Sequence, residues 1–276
     1  MGDPGVGRAE IVGAHGKSAC LGRRGAGWVK WRCNLECEVK ILGDTRMLAE
    51  EAAKRFVALV RAEQEDSSCT VTLSGGTTPR ALYALLASAP YRAQVNWSQI
   101  DFYFGDERGV PPDHPDSNYR LASDTLFRPI GIASEQVHRM RGEMEDLDEA
   151  AELYTTELMA VVDEGLPRFD LVLLGLGPDG HTASLFPNNW APHERVLWVV
   201  PILDAPKPPP RRLTLTVPVF NNARQVIFLV AGEDKAPAVR EVLRGSAPAN
   251  QFPAKLIQPS AGRVLWLLDE GAGSLL

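Results

Sequence analysis

From residue 37 onward, apolar and polar positions alternate between two rhythms. Short apolar or β-branched runs predict strands at 37–42, 70–73, 100–104, 136–138, 170–174, 197–202, 212–216, 225–230 and 264–268. Between them, apolar residues spaced three and four apart predict helices over 45–61, 80–87, 117–127, 146–163 and 234–244. Leu48, Ala52, Phe56, Leu59 and Val60 share one face of the first; Leu147, Ala151, Tyr154, Leu158 and Val161 share one face of the fourth. The unbroken run Leu171 to Leu174 reads as a strand covered on both sides. No repeat or linker interrupts the alternation. It therefore predicts one α/β domain over 35–276, with a mostly parallel sheet and helices on both faces. Pro206 to Pro210, with Lys207 inside it, reads as a stiff exposed loop.

The first 34 residues lie outside this rhythm. They hold six Lys or Arg, two acids (Asp3 and Glu10) and many glycines. They lack both the periodicity of a transit peptide and the apolar centre of a secretory signal. A disordered extension over 1–34, or a stretch upstream of the true start, is expected.

Composition narrows the function. Across 276 residues the hydrophobic fraction is 45% and the charged fraction 23%, as in an ordinary globular protein. A net charge of −6 argues against nucleic-acid binding. No apolar run is long enough to cross a membrane, so no membrane partner is expected. Cys20, Cys33, Cys37 and Cys69 are too sparse for a disulfide scaffold. Cys33 and Cys37 alone make half a metal site with no second half. Reduced thiols, a cytoplasmic location and no metal are the expectation. Oligomerisation is expected to go no further than a monomer or weak homodimer.

Three strand ends carry candidate chemistry. After the run 171–174 come Gly175, Gly177 and Gly180, with Asp179 and His181 among them. A histidine at the carboxyl end of a buried strand sits where open α/β sheets bind ligands, and imidazole exchanges protons near neutral pH. Of five histidines, His181 alone lies in such a turn beside an acid. Asp179 could orient His181 or raise its pKa by its charge, and could equally cap a short helix that follows, since capping and orienting are compatible. After 70–73 come Ser74, Gly75, Gly76 and Thr77, then Thr78 as expected N-cap and Pro79 at the first helical position. Free backbone N–H groups at a helix start suit a phosphate. No Gly-Lys-Ser/Thr and no Gly-x-Gly-x-x-Gly occurs there, so no nucleotide cofactor is implied. After 100–104 come Asp106, Glu107 and Arg108. Here Arg108 is the candidate to stabilise an oxyanion or hold a sugar, with the two acids fixing its rotamer.

The blocks SGGTTPRALY (74–83), FGDERGVPPDHPDSNYR (104–120) and GLGPDGHTASLFP (175–187) together resemble the three signature blocks of the 6-phosphogluconolactonases. The resemblance runs from about Glu38 to about Leu268 and leaves the first 34 residues uncovered. It implies a Rossmann-like three-layer α/β/α sandwich and hydrolysis of a small phosphosugar lactone without cofactor, with His181 as the base. It also implies a basic strand beside the pocket, which makes Arg211 and Arg212 candidates for phosphate binding. Lys235, Asn118 and Arg120 are further candidates. The glycine usual after Phe186–Pro187 is replaced by Asn188, a residue that tolerates the left-handed conformation.

Two other readings stand beside this one. The related glucosamine-6-phosphate deaminases would use a carboxylate such as Asp106 as base, but their histidine block reads differently after Gly-His. A sugar-phosphate-binding regulator would need a DNA-binding helix pair, which the first 34 residues do not suggest. Neither Ser74 nor Ser184 lies in a Gly-x-Ser-x-Gly elbow, so direct attack by water is expected.

Overall fold

The computed structural model describes residues 19–24, 27–32, 37–63, 68–159, 162 and 165–276. In chain order the strands are β1 (Ala19–Arg24), β2 (Gly27–Arg32), β3 (Cys37–Leu42), β4 (Cys69–Leu73), β5 (Ile100–Phe104), β6 (Asp106–Arg108), β7 (Leu171–Leu174), β8 (Val199–Ile202), β9 (Arg212–Leu215), β10 (Gln225–Val230) and β11 (Arg263–Asp269). The helices used below are α1 (Thr45–Glu63), α2 (Thr77–Leu86), α3 (Asn118–Ala122), α4 (Leu147–Met159), α5 (Val217–Asn221) and α6 (Ala236–Arg244).

Six strands pair in parallel in the order β3-β11-β10-β7-β4-β5. Their residues alternate between two cores. Val172, Leu174, Val226, Phe228, Val230, Trp266 and Leu268 face a core closed by α4, α5 and α6. Leu171, Leu173, Ile227, Leu229, Leu265 and Leu267 face a core closed by α1 and α2. Both faces are buried, which is why these strands read as apolar runs rather than as alternation. The three layers are those of a single α/β sandwich.

The strand order also fixes where a ligand goes. The chain leaves β4 for β5 on one side, and leaves β7 for β10 on the other. β4 and β7 are neighbours, so their carboxyl ends part at a switch point, the usual ligand crevice of open α/β sheets.

Several elements differ from their expected form. The strands 197–202 and 212–216 do not join the parallel sheet. As β8 and β9 they pair antiparallel with each other, and β9 pairs antiparallel with β6, in a second sheet of order β6-β9-β8. β6 is only Asp-Glu-Arg, and no hydrophobic rhythm announces it. The strand at 136–138 reduces to one bridge, Phe102 to Val137. The helix over 117–127 is α3 followed by a π turn at Ser123–Phe127. α4 ends at Met159, and the end expected at 163 lies outside the described residues. Within the extension expected as disordered, β1 and β2 form a hairpin whose first strand pairs parallel with β3. The remainder of residues 1–34, Cys33 included, lies outside the described residues. Cys37 and Cys69 are buried, and burial pushes the Cys37 thiol up to about 12. Among the described residues no helix is long and apolar enough to cross a membrane.

Candidate active site

A cleft of about 240 Å³ opens at the switch point. The loops after β4 and β7 supply Ser74, Gly75, Gly76, Gly177, His181 and Thr182. The small sheet adds Asp106, Arg108 and Arg212, and two further loops add Lys207 and Lys235.

His181 is held from behind. Its Nδ1 lies 2.5 Å from Asp179 Oδ1. With Nδ1–H donated to the carboxylate, Nε2 keeps its lone pair and serves as the proton acceptor. The turn that achieves this depends on two glycines. Gly180 takes a φ of +80°, and a Cβ on Gly177 would stand 1.9 Å from His181 Nδ1. No helix follows for Asp179 to cap. Ala183 adopts a left-handed φ of 49°, and Thr182 and Leu185 form a bridge instead. Asn188 is left-handed too, at 57°, a conformation that asparagine tolerates.

Lys207, which the sequence did not single out, joins this turn. Its Nζ lies 3.1 Å from Asp179 Oδ2 and 3.4 Å from His181 Nδ1. Burial raises the Asp179 pKa, but the hydrogen bonds and charges of His181 and Lys207 outweigh it and hold the carboxyl below its usual range. The only local signal was a lone cation among prolines that feed into β9.

Arg108 and Arg212 stand opposite each other in the β6–β9 register. Arg108 Nη1 donates to the Asp116 carbonyl at 2.8 Å, while its Nε is buried with no partner. Arg212 is 5% exposed. It donates to the carbonyls of Lys207, Pro208 and Pro209 and lies over the Phe186 ring. Burial, with Arg108's like charge, lowers the Arg212 pKa, while Asp106, Asp116 and Glu107 oppose the shift. Neither guanidinium meets a carboxylate within ion-pair distance among the described residues. Both are equipped for an anion.

The expected partners of Arg108 do other work. Asp106 Oδ2 accepts from Ser184 Oγ at 2.7 Å, and its Oδ1 accepts from Asn118 Nδ2 at 3.2 Å. Glu107 accepts from the backbone N–H groups of Arg108, Asn118 and Tyr119 and from the Ser117 hydroxyl. Neither fixes the Arg108 guanidinium. Ser184 is buried and committed to Asp106.

At the β4 loop, α2 begins at Thr77 with Gly76 as its cap, φ +109°, and no side-chain cap. Thr78 therefore lies within the helix rather than capping it. Among the described residues no side chain caps the first N–H groups of α2, which leaves them open to an anion. The Tyr83 hydroxyl donates to Ser74 O at 2.7 Å and accepts from Ser74 N at 3.0 Å, which pins the loop. Thr77 is exposed and lies outside the cleft lining.

Three other candidates also fall outside the cleft lining. Arg211 neighbours Arg212 along an extended chain, so its side chain leaves on the other side and reaches the carbonyls of Met144 and Glu145. Arg120 is spent on the Asp113 carbonyl and on Asp124. Asn118 is buried and props Gly75, where a Cβ would stand 1.8 Å from Asn118 Oδ1. Lys235 does line the cleft, with Asp234 at 2.9 Å.

Residues 43–266 match the family described as glucosamine-6-phosphate isomerases/6-phosphogluconolactonase. The chain is 40% identical over 245 residues to the 6-phosphogluconolactonase of Synechocystis sp., covering 87% of this chain and 98% of that one. It is 44% identical over 209 residues to the 6-phosphogluconolactonase of Homo sapiens, covering 74% and 79%. The solved 6-phosphogluconolactonase of Trypanosoma brucei superposes with a TM-score of 0.80 at 28% identity, covering 88% and 99%. A monomeric glucosamine-6-phosphate deaminase shares the fold, with a TM-score of 0.72 at 24% identity over 86% and 98%.

Proposed function

Since the chain belongs to the glucosamine-6-phosphate isomerase/6-phosphogluconolactonase family, we propose that it hydrolyses 6-phospho-D-glucono-1,5-lactone to 6-phospho-D-gluconate, the second step of the oxidative pentose phosphate pathway. The observation that carries this reading is the sharing of one cleft by an Asp179-oriented His181 and the unneutralised pair Arg108 and Arg212. The first is a proton acceptor and the second an anion site.

In this mechanism His181 Nε2 takes a proton from water as the water oxygen bonds to the lactone carbonyl carbon. The imidazolium that forms is stabilised by Asp179. The carbonyl oxygen becomes an oxyanion and is stabilised by the cations of the cleft. Collapse of the tetrahedral intermediate breaks the bond to the ring oxygen. That oxygen leaves with the proton from His181 Nε2, restoring the neutral imidazole. The substrate phosphate binds between Arg108 and Arg212, with the N–H groups at the start of α2 as further donors. We further infer a small-molecule enzyme of the cytoplasm, monomeric or weakly dimeric, with no nucleic-acid or membrane partner.

The test is a coupled assay. Freshly made 6-phosphogluconolactone is hydrolysed in the presence of a 6-phosphogluconate dehydrogenase, with ammonia release from glucosamine 6-phosphate as control. Product formation above the spontaneous rate supports the lactonase reading. Ammonia release without lactone hydrolysis moves the protein to the deaminase branch.

A further inference from the structure

Glu107 is 2% exposed and contributes nothing to the wall of the cleft. Yet four donors converge on its carboxylate. Oε1 accepts from Arg108 N and Asn118 N at 2.7 Å each. Oε2 accepts from Tyr119 N at 2.8 Å and Ser117 Oγ at 3.0 Å. The bonds to Asn118 and Tyr119 engage the opening N–H groups of α3, and Ser117 in turn caps Arg120 N.

Two of these bonds lead to the substrate side. The bond to Arg108 N fixes the residue whose guanidinium enters the cleft. The bond to Asn118 N fixes a side chain that donates to Asp106 and presses Oδ1 against Gly75. One buried carboxylate thus ties the β6 arginine to the β4 glycine loop, two segments that are 31 residues apart between Gly76 and Glu107. We propose that Glu107 is a positioning residue, which holds Arg108 and, through Asn118, the Gly75 loop as one preformed phosphate subsite. The inference rests on the assignment of those two segments to the substrate phosphate.

The chemistry demands a carboxylate. All four partners donate, so an amide in its place would aim an N–H at a backbone N–H whichever way it turned. Burial raises the Glu107 pKa to about 7, while the backbone bonds of Asn118, Tyr119 and Arg108 lower it. A charge kept buried against such a bias contributes poorly to stability, and is better accounted for by what it holds in place.

The test uses the full chain, with Glu107→Gln, Asn118→Ala and the double variant. The readouts are steady-state lactone hydrolysis, thermal melting and calorimetric binding of 6-phosphogluconate and of inorganic phosphate. A subsite held by Glu107 predicts that KM and both dissociation constants rise by about tenfold or more in Glu107→Gln. The turnover number should stay within about threefold. Asn118→Ala keeps the carboxylate and its bonds to the backbone N–H groups of Arg108, residue 118 and Tyr119. It should reproduce part of the loss, and the double variant should fall short of the product of the two. Should Glu107→Gln fail to fold, Asn118→Ala carries the test alone. Unchanged phosphate binding in Asn118→Ala, or a fall in turnover with unchanged binding, overturns the proposal. Phosphate binding that depends on Glu107 in a wild-type chain without lactonase activity supports the positioning role and sinks the assigned reaction instead.

Discussion

Arg108 and Arg212 face each other across the β6–β9 pairing, two like charges of which neither meets a carboxylate within ion-pair distance among the described residues. Such a cross-strand pair is destabilising by itself. Stability thus gains nothing from it, and an anion between the two would reverse the sign. Arg108→Gln should therefore melt no lower than wild type at low ionic strength, because relief of repulsion offsets the lost bond to the Asp116 carbonyl. The same variant should lose about 2 kcal/mol of phosphate affinity, roughly a 30-fold rise in KM. Inorganic phosphate should raise the melting temperature of wild type more than that of the variant. An equal rise in both would remove the pair from the phosphate site.

Gly177 gives way to the His181 ring. A methyl group there would meet His181 Nδ1 at 1.9 Å and Asp179 Oδ1 at 2.5 Å. Gly177→Ala should push the imidazole from its place and lower turnover by about 100-fold. The dissociation constant for 6-phosphogluconate should stay near the wild-type value, because both arginines are untouched. Loss of product binding equal to the loss of turnover would contradict this division of labour.

Tyr83 holds the β4 loop from the core with one hydroxyl and two bonds to the Ser74 backbone. Tyr83→Phe leaves a buried N–H and a buried C=O without their partner. It should cost about 1–3 kcal/mol in urea unfolding and raise KM through a looser loop. A variant as stable as wild type would show that water or a rearranged loop replaces the hydroxyl.

The sign of the Glu107 effect on stability is the reverse of that for most paired carboxylates. Its pKa rises from about 4.5 to about 7 on folding, so the folded state binds the extra proton. Its contribution is complete below pH 4.5 and is lost as pH rises towards 7, by roughly 3 kcal/mol. The stability difference between wild type and Glu107→Gln should therefore shift against wild type over that interval. Asp179, whose pKa falls on folding, works the other way and loses its contribution as the solution turns acid. A pH-independent difference between wild type and Glu107→Gln would contradict the buried, destabilised charge.

The central sheet was legible because β7, β10 and β11 are buried on both faces and must be continuously apolar. His181 was legible because its turn needs glycine at positions where a side chain would collide or strain the backbone. Pairing between distant segments was not legible. β6 is three polar residues whose strand character comes wholly from β9, more than a hundred residues later. Lys207 looked like a surface charge because nothing in a proline run states that the chain turns back on Asp179. Arg211 and Arg212 looked equivalent until β9 placed them on opposite sides, a distinction strand alternation makes only once one residue is anchored. The hairpin of β1 and β2 was hidden by a glycine-rich, basic composition that reads as unstructured.

The proposed reaction turns on His181 as the base that activates water. The measurement that addresses it most directly is hydrolysis of 6-phosphogluconolactone by wild type and by His181→Ala, each corrected for the spontaneous rate, with 6-phosphogluconate binding measured alongside. With His181 as the base, turnover should fall by about 10²- to 10⁴-fold in the variant with product affinity little changed. Hydrolysis by His181→Ala at the wild-type rate would contradict that role.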